Sequence, residues 1–155
     1  DVLASQFNIA FDASFPFLVG QANATNINLQ TGGGGKIPPD TMPMALNADS
    51  GGKVTIVNNG NGIYYPTVRI SGPVIKNETL GKSIRSAITL AASDYIDLDF
   101  KRKTIIDNQG RNRYSIKSGD WWYLQPGSNI VRFLADSYDA NALANISYRD
   151  SFLGI

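Results

Sequence analysis

Hydrophobic and polar residues alternate with a period of two along much of this chain, and no stretch keeps the spacing of an amphipathic helix for long. Such alternation predicts strands with one face toward a core and the other toward solvent. Turn residues recur roughly every eight to twelve positions, which is typical of a β-sandwich or barrel. About ten short strands are expected, at residues 5–11, 25–30, 53–59, 64–71, 83–91, 94–100, 103–107, 112–117, 129–136 and 143–150.

The segments between these strands contain residues suited to tight reversals. Residues 58–62 (NNGNG), 107–110 (DNQG) and 125–128 (QPGS) supply Asn, Asp, Gly and Pro. Residues 31–43 (TGGGGKIPPDTMP) differ, because four consecutive glycines and three prolines cannot sustain a regular element. We expect a long loop there, and no phosphate-binding motif, within one domain that spans residues 1–155.

The chain contains neither histidine nor cysteine. This excludes disulfides, cysteine nucleophiles, Ser-His-Asp triads and zinc sites built on imidazole or thiolate. Fourteen basic and thirteen acidic residues leave a net charge of +1, too little to predict binding to nucleic acid or an anionic membrane. No stretch approaches the ~20 apolar residues of a membrane span. We therefore predict no catalytic residues, cofactor, metal, nucleic-acid partner or membrane insertion.

Two adjacent tryptophans precede a Pro-Gly turn. Consecutive side chains of a strand point to opposite faces, so both indoles cannot enter the same core. Trp122 and Leu124 are predicted to face inward together. Trp121 and Tyr123 are then expected on the opposite face, either exposed, at an interface or, for Trp121, half-covered by a loop.

Acidic residues alternate with apolar ones in residues 94–100. Asp97 and Asp99 share a strand face with Lys101. The opposite face carries the apolar residues that are expected in the core, Ile96, Leu98 and Phe100. A glycosidase needs two carboxylates across a cleft, and calcium needs six or more oxygen ligands. The pattern therefore favours a solvated outer face.

Basic residues are concentrated on both arms of the predicted hairpin at residues 101–113. Lys101, Arg102 and Lys103 lie on one arm, and Arg111 and Arg113 on the other. Folding at residues 107–110 is expected to bring these charges together at the base of the hairpin. Such a patch suits phosphate, an anionic glycan or an acidic partner, but it also protects a sheet edge from unwanted strand addition.

The order of motifs from Gly60 to Ile155 resembles the carboxy-terminal domain of distal tail proteins of phages and prophages with long, non-contractile tails. The motifs are Gly-Asn-Gly-x-x-Tyr-Pro at 60–66, Arg-Ile-x-Gly-Pro at 69–73, the hairpin at 103–113, Trp-x-x-Leu-x-Pro-Gly-x-Asn at 121–129, and Tyr-Arg at 148–149 before a terminal Phe-Leu-Gly-Ile. Residues 1–59 match this pattern less clearly.

The resemblance implies an antiparallel β-sandwich of the jelly-roll or galectin-like kind. In that family an amino-terminal domain forms a hexameric ring at the tail tip, which joins the tail tube to the baseplate. Because the chain starts at Asp1, we expect a carboxy-terminal fragment whose oligomerisation depends on a missing domain. Its expected location is the virion tail, after assembly in the host cytoplasm.

Two functions follow from these observations, and a hydrolase built on aspartate pairs is a weaker third. The first is a non-catalytic structural component that docks other baseplate proteins. The second is a carbohydrate-binding module for a host-surface glycan, because sugar rings stack on exposed aromatic faces. Candidate partner or glycan contacts are Trp121, Tyr123, Tyr64, Tyr65, Lys101, Arg102, Lys103, Arg111 and Arg113.

Overall fold

The computed structural model describes residues 17–29, 51–88, 90–91, 93–135 and 141–153. These residues form ten strands and one turn of 3-10 helix at Tyr114–Ile116. No helix within these ranges is long and apolar enough to cross a membrane. The strands are β1 (Phe17–Asn28), β2 (Gly51–Asn58), β3 (Thr67–Ile70), β4 (Val74–Asn77), β5 (Lys82–Ser86), β6 (Ile96–Asp99), β7 (Thr104–Asp107), β8 (Lys117–Gly119), β9 (Gly127–Leu134) and β10 (Leu143–Leu153).

The strands form two five-stranded sheets. Sheet A has the order β1-β10-β3-β6-β7, and sheet B has the order β2-β9-β4-β5-β8. All neighbouring pairs are antiparallel. The predicted all-β antiparallel sandwich is therefore confirmed, whereas a jelly-roll or galectin-like topology stays a prediction.

The inward faces of the two sheets meet in one apolar core, as the alternation predicts. In β3, Val68 and Ile70 are buried while Arg69 between them is exposed. Sheet B contributes Ile75 and Phe133, both fully buried. Burying each such side chain stabilises the fold by about 1.5–3 kcal/mol. Each strand of sheet A therefore presents its alternate side chains on the opposite, outer face, where the candidate site lies.

The ends of β2 and β10 are joined by a buried amide. Oδ1 of Asn58 accepts hydrogen bonds from the backbone N–H groups of Gly60 and Ser151, each at 3.1 Å. Nδ2 of Asn58 donates to the carbonyl of Gly62 at 2.8 Å. A Cβ on Gly60 would lie 1.8 Å from the carbonyl oxygen of Ser151. The predicted turn at 58–62 is thus a tightly docked loop that links sheet B to sheet A.

Several strand boundaries differ from the predicted ones. β1 begins at Phe17, well before residue 25, and its first half was missed because residues 20–24 are all small or polar and show no alternation. Residues 112–117 were predicted as a strand but contain the 3-10 turn, and β8 follows at Lys117–Gly119. The strand β4 was not predicted, because its four residues are bounded by Pro73 and a turn at residues 78–81. The predicted strand at 5–11 and the loop at 31–43 lie outside the described residues.

Candidate functional site

The two tryptophans pack against a common ring. Trp122 is fully buried, and its ring centroid lies 4.2 Å from that of Phe100. Leu124 is also buried, so the prediction that Trp122 and Leu124 face inward together is confirmed. Trp121 does not point freely away from the core. Its ring meets Phe100 edge-on at 5.2 Å and stacks on Tyr114 at 6.4 Å.

The half-covered position of Trp121 is one of the expected placements, and it has a physical reason. Residues 120–123 are not part of a strand, so consecutive side chains need not alternate between opposite faces. Lys117 adds a cation–π contact, with Nζ 5.7 Å from the Trp121 ring centroid. The indole is therefore half-buried in an aromatic cluster centred on Phe100, a residue that sequence reasoning assigned only to the core.

The three candidate tyrosines lie close together, beside the β6–β7 turn. Tyr64 and Leu124 exchange backbone hydrogen bonds of 2.9 and 2.7 Å. The ring of Tyr65 meets that of Tyr123 edge-on at 6.1 Å. Tyr64 and Tyr65 also line a hollow of about 200 Å³ with Lys101. Burial raises the pKa of Tyr64 above its ordinary value, the nearby Arg149 lowers it, and Asp99 adds a smaller raising effect.

Three of the candidate basic residues form the turn between β6 and β7. Oδ1 of Asp99 accepts the backbone N–H groups of Lys101 and Arg102, each at 2.9 Å. Lys103 has a φ of 57°, in the left-handed region that lysine rarely adopts. Nε of Arg102 lies 3.9 Å from Oδ2 of Asp99. The carboxylate of Asp99 therefore fixes the backbone of the β6–β7 turn and also attracts the positive charge of Arg102.

The other two basic residues are bound to a buried carboxylate at the far end of β7. Oδ2 of Asp107 accepts Nε–H of Arg111 at 2.7 Å and of Arg113 at 2.8 Å, while Oδ1 accepts the backbone N–H groups of Gln109 and Arg111. Burial alone raises the pKa of Asp107, but these hydrogen bonds outweigh it and hold the pKa well below its usual range.

This geometry corrects the expected basic patch. Residues 105–107 do pair with residues 111–113, as the hairpin predicts. The five basic residues nevertheless divide into two groups at opposite ends of the four-residue strand β7, because Arg111 and Arg113 directly follow the turn and contact Asp107, whereas Lys101, Arg102 and Lys103 precede β7. Asp107 offsets one of the two positive charges of the second group and fixes both guanidinium groups. Among the described residues, no cluster of three acidic, histidine or cysteine side chains is placed to hold a metal ion.

The outer face of sheet A carries a feature that sequence reasoning missed. A cavity of about 510 Å³ crosses strands β3, β6, β7 and β10. It shares Thr67 and Ser147 with a second cavity of about 270 Å³ beside Tyr64, and Arg69 and Asn145 with a third of about 200 Å³ beside Tyr95. We call these three connected cavities the outer groove. Its central side chains include Arg69, Asp97, Asp99, Arg102, Asn145 and Ser147.

An ordered ion pair lies at the centre of the outer groove. Nε and Nη2 of Arg69 donate to Oδ1 and Oδ2 of Asp97 at 2.8 and 2.9 Å, in a bidentate arrangement. The guanidinium carbon also lies 3.9 Å from the centroid of the Tyr95 ring. Nearby, Nδ2 of Asn145 donates to Oδ1 of Asn26 at 2.6 Å. The polar side chains of the outer groove are therefore held in place before any ligand arrives.

The outer groove brings together only some of the predicted contact residues. Arg102 lines its centre and Tyr64 one end, while Tyr65 and Lys101 line the adjoining hollow. Trp121, Arg111 and Arg113 belong to the separate clusters around Phe100 and Asp107. Arg69 and Asp97 were predictable as exposed residues, but their pairing depends on the register between β3 and β6.

Comparison of the sequence with known proteins identified one related family. No curated protein and no solved structure matches this chain. A protein-family model described as the siphovirus-type tail component, C-terminal domain, matches residues 59–152, more than half of the chain. That span contains every candidate contact residue and most of the outer groove. The chain therefore belongs to the family of siphovirus-type tail components, over their carboxy-terminal domain.

Proposed function

We propose that this chain is a non-catalytic docking domain at the tail tip, which holds neighbouring baseplate proteins through the end of its β1–β10 pair. Family membership already supports a structural role in the virion tail. Docking to particular tail proteins is the further step, and it rests on one surface feature. A hexameric arrangement through an amino-terminal domain, and assembly in the host cytoplasm, stay predictions from the resemblance.

The feature is an exposed apolar patch at the end of β1 and β10. Leu18 is 69% exposed and lies directly across from Phe152, which is 39% exposed. Val19 and Leu153 are also exposed, on the other face of the strand pair, because consecutive side chains of a strand alternate between faces. We call these four residues the terminal patch; they are four of the seven large hydrophobic residues exposed within the described ranges. Exposed apolar residues that cluster together indicate an interaction surface more often than isolated exposed apolar residues do.

The strand that carries half of the terminal patch is suited to contact another protein. β1 is an edge strand of sheet A, and none of the strands described pairs with its outer side. Its sequence, FLVGQANATNIN, contains no charged residue and no proline. Natural edge strands usually carry such residues to prevent pairing with other chains. An edge that lacks them can accept an extended segment of a partner by main-chain hydrogen bonding.

The described carboxylates with close partners serve structural contacts, which supports a non-catalytic role. Asp107 is held by two arginines, Asp97 by Arg69, and Asp99 by the N–H groups of its own turn. General acid catalysis by a carboxyl group needs a raised pKa, whereas the hydrogen bonds to Asp107 lower its pKa. The chain also has no histidine or cysteine to act as a base or nucleophile.

Photo-crosslinking in assembled tails tests the docking proposal. A photoreactive amino acid replaces Leu18 in the virion protein, and Val57, an exposed apolar residue on β2 in sheet B, serves as the matched control position. We expect Leu18 to crosslink to another tail protein, identified by mass spectrometry, and Val57 to give no such product. Intact tails in which neither position crosslinks to another protein would refute docking through the terminal patch.

Glycan recognition by Trp121 and Tyr123 is the alternative derived from the sequence, and it stays a prediction. The geometry favours it less than docking, because Trp121 packs on Phe100 and Tyr114 while Tyr123 packs on Tyr65. A stacking platform needs an open ring face, which these contacts reduce.

A further inference from the structure

The outer groove has the shape and chemistry of a site for an extended polar ligand. It follows β3 and β10 from the neighbourhood of Tyr64 to that of Tyr95 and Leu143. At about 3.3 Å per residue, the segment from Tyr64 to Ser71 spans roughly 20–25 Å. We propose that the outer groove binds a neutral carbohydrate chain, a function that is independent of docking through the terminal patch.

The balance of charge argues for a neutral ligand. The side chains that line the three cavities include three cations, Arg69, Arg102 and Arg149, and three anions, Asp94, Asp97 and Asp99. A polyanion would gain from the arginines but would be repelled by the aspartates, and the reverse holds for a polycation. A neutral chain is repelled neither by the aspartates nor by the arginines.

The functional groups of the outer groove match those of sugars. Neighbouring hydroxyls of a sugar ring donate and accept hydrogen bonds in pairs, which suits planar guanidinium, carboxylate and amide groups. The two hydrogen bonds to Asp97 use two of the five N–H donors of Arg69. Asn145 and Ser147 of β10 add an amide and a hydroxyl beside it. The central part of the outer groove therefore offers both donors and acceptors to a ligand.

The same side chains are already ordered, which reduces the entropic cost of binding. Arg69 is held on one side by Asp97 and on the other by the Tyr95 ring. Side chains that are fixed before binding lose less rotamer freedom when a ligand arrives. Leu143 at the end of the outer groove is exposed and provides apolar surface for the C–H face of a sugar ring.

The test uses the complete 155-residue chain, labelled with ¹⁵N, and amide chemical-shift mapping. The probes are linear neutral oligosaccharides of glucose, galactose, rhamnose and N-acetylglucosamine, with poly(glycerol phosphate) as the anionic comparator. We expect at least one neutral probe to shift the amides of β3 and β10. Replacement of Arg69 by Ala should weaken that binding at least about tenfold, equivalent to the loss of one or two charge-assisted hydrogen bonds.

Two further variants make the result specific. Asp97→Asn keeps the shape of the side chain but removes its charge, and it should also weaken binding. Arg85→Ala removes an exposed arginine from β5, in the other sheet, and should leave binding unchanged. Thermal unfolding of each variant establishes that it is folded.

Four outcomes would overturn the proposal. They are no shift with any neutral probe, shifts confined to residues outside the outer groove, binding of poly(glycerol phosphate) alone, and unchanged affinity in both Arg69→Ala and Asp97→Asn. Crosslinking at Leu18 is measured separately, so failure of carbohydrate binding leaves the docking proposal standing, and the reverse also holds.

Discussion

Nε of Arg111 lies 2.7 Å from Oδ2 of Asp107, across the turn that follows β7. Arg113 contacts the same oxygen at 2.8 Å, so a single buried carboxylate holds two arginines at one corner of sheet A. In the sequence these arginines resemble part of a basic patch available to a partner. In the fold, both arginines instead bind Asp107 and stabilise the turn that follows β7.

The stability of the chain should depend on this carboxylate in acid. The pKa of Asp107 is lower in the folded chain than in the unfolded chain, where it is about 3.9. Its contribution is therefore complete above about pH 4 and is lost as the pH falls toward the folded-state pKa. We expect Asp107→Asn to lower the free energy of unfolding at pH 7, and the difference from the parent to shrink below about pH 4.

Urea unfolding at several pH values checks this prediction, with Asp120→Asn as a control for the loss of an exposed negative charge. Equal effects of the two substitutions at pH 7 would show that the contacts between Asp107 and the arginines contribute nothing specific.

Substitution of Gly60 should disrupt the junction between β2 and β10. An alanine Cβ would overlap the backbone of Ser151, whose carbonyl oxygen is 1.8 Å away, so the docked loop has to move. We expect Gly60→Ala to lower the free energy of unfolding by about 2–3 kcal/mol. Gly20→Ala is the matched control, because its nearest contact is an ordinary 3.5 Å from Asp150. It should change stability by less than about 0.5 kcal/mol in the same urea titration.

The two tryptophans should differ in their effect on stability. Trp122 is fully buried against Phe100, so Trp122→Ala should lower the free energy of unfolding by about 3–5 kcal/mol. Trp121 is only half-buried, and Trp121→Ala should lower it by about 1–2 kcal/mol. Urea unfolding followed by circular dichroism measures both without relying on the removed indole. A larger loss for Trp121 would mean that it, and not Trp122, anchors the cluster.

The ion pair in the outer groove should matter little for stability. The side chains of Arg69 and Asp97 are 53% and 36% exposed, so water and salt screen their attraction. A double-mutant cycle with Arg69→Ala and Asp97→Asn should give a coupling energy of about 0.2–1 kcal/mol. A coupling above about 2 kcal/mol would show that the pair supports the fold, in which case these variants would not be suitable probes of ligand binding.

Local alternation was sufficient to predict much of the sandwich. Ile96, Leu98 and Phe100 were expected to share the inward face, and all three are fully buried. In a strand of this kind, the alternation of apolar and polar side chains indicates which face is buried. The strand β4 escaped prediction because four residues between a proline and a turn leave too little alternation to detect.

The candidate site was much less predictable. Arg69 and Asp97 are 28 residues apart, and they meet only because β3 pairs with β6 in one particular register. The outer groove also needs β10, which lies on the other side of β3. Side chains on four strands, β3, β6, β7 and β10, converge through sheet order, which the spacing of residues within each strand does not encode.

The buried amide of Asn58 has a mechanical consequence for a tail protein. It holds the end of β10 to β2 in the opposite sheet, and Oδ1 of Asn61 accepts the N–H of Leu153 at 2.7 Å. A pull on a protein bound near Phe152 is therefore shared between both layers of the sandwich and does not peel away a single strand. With this anchorage, the domain should bear load at the end of β10 without losing that strand.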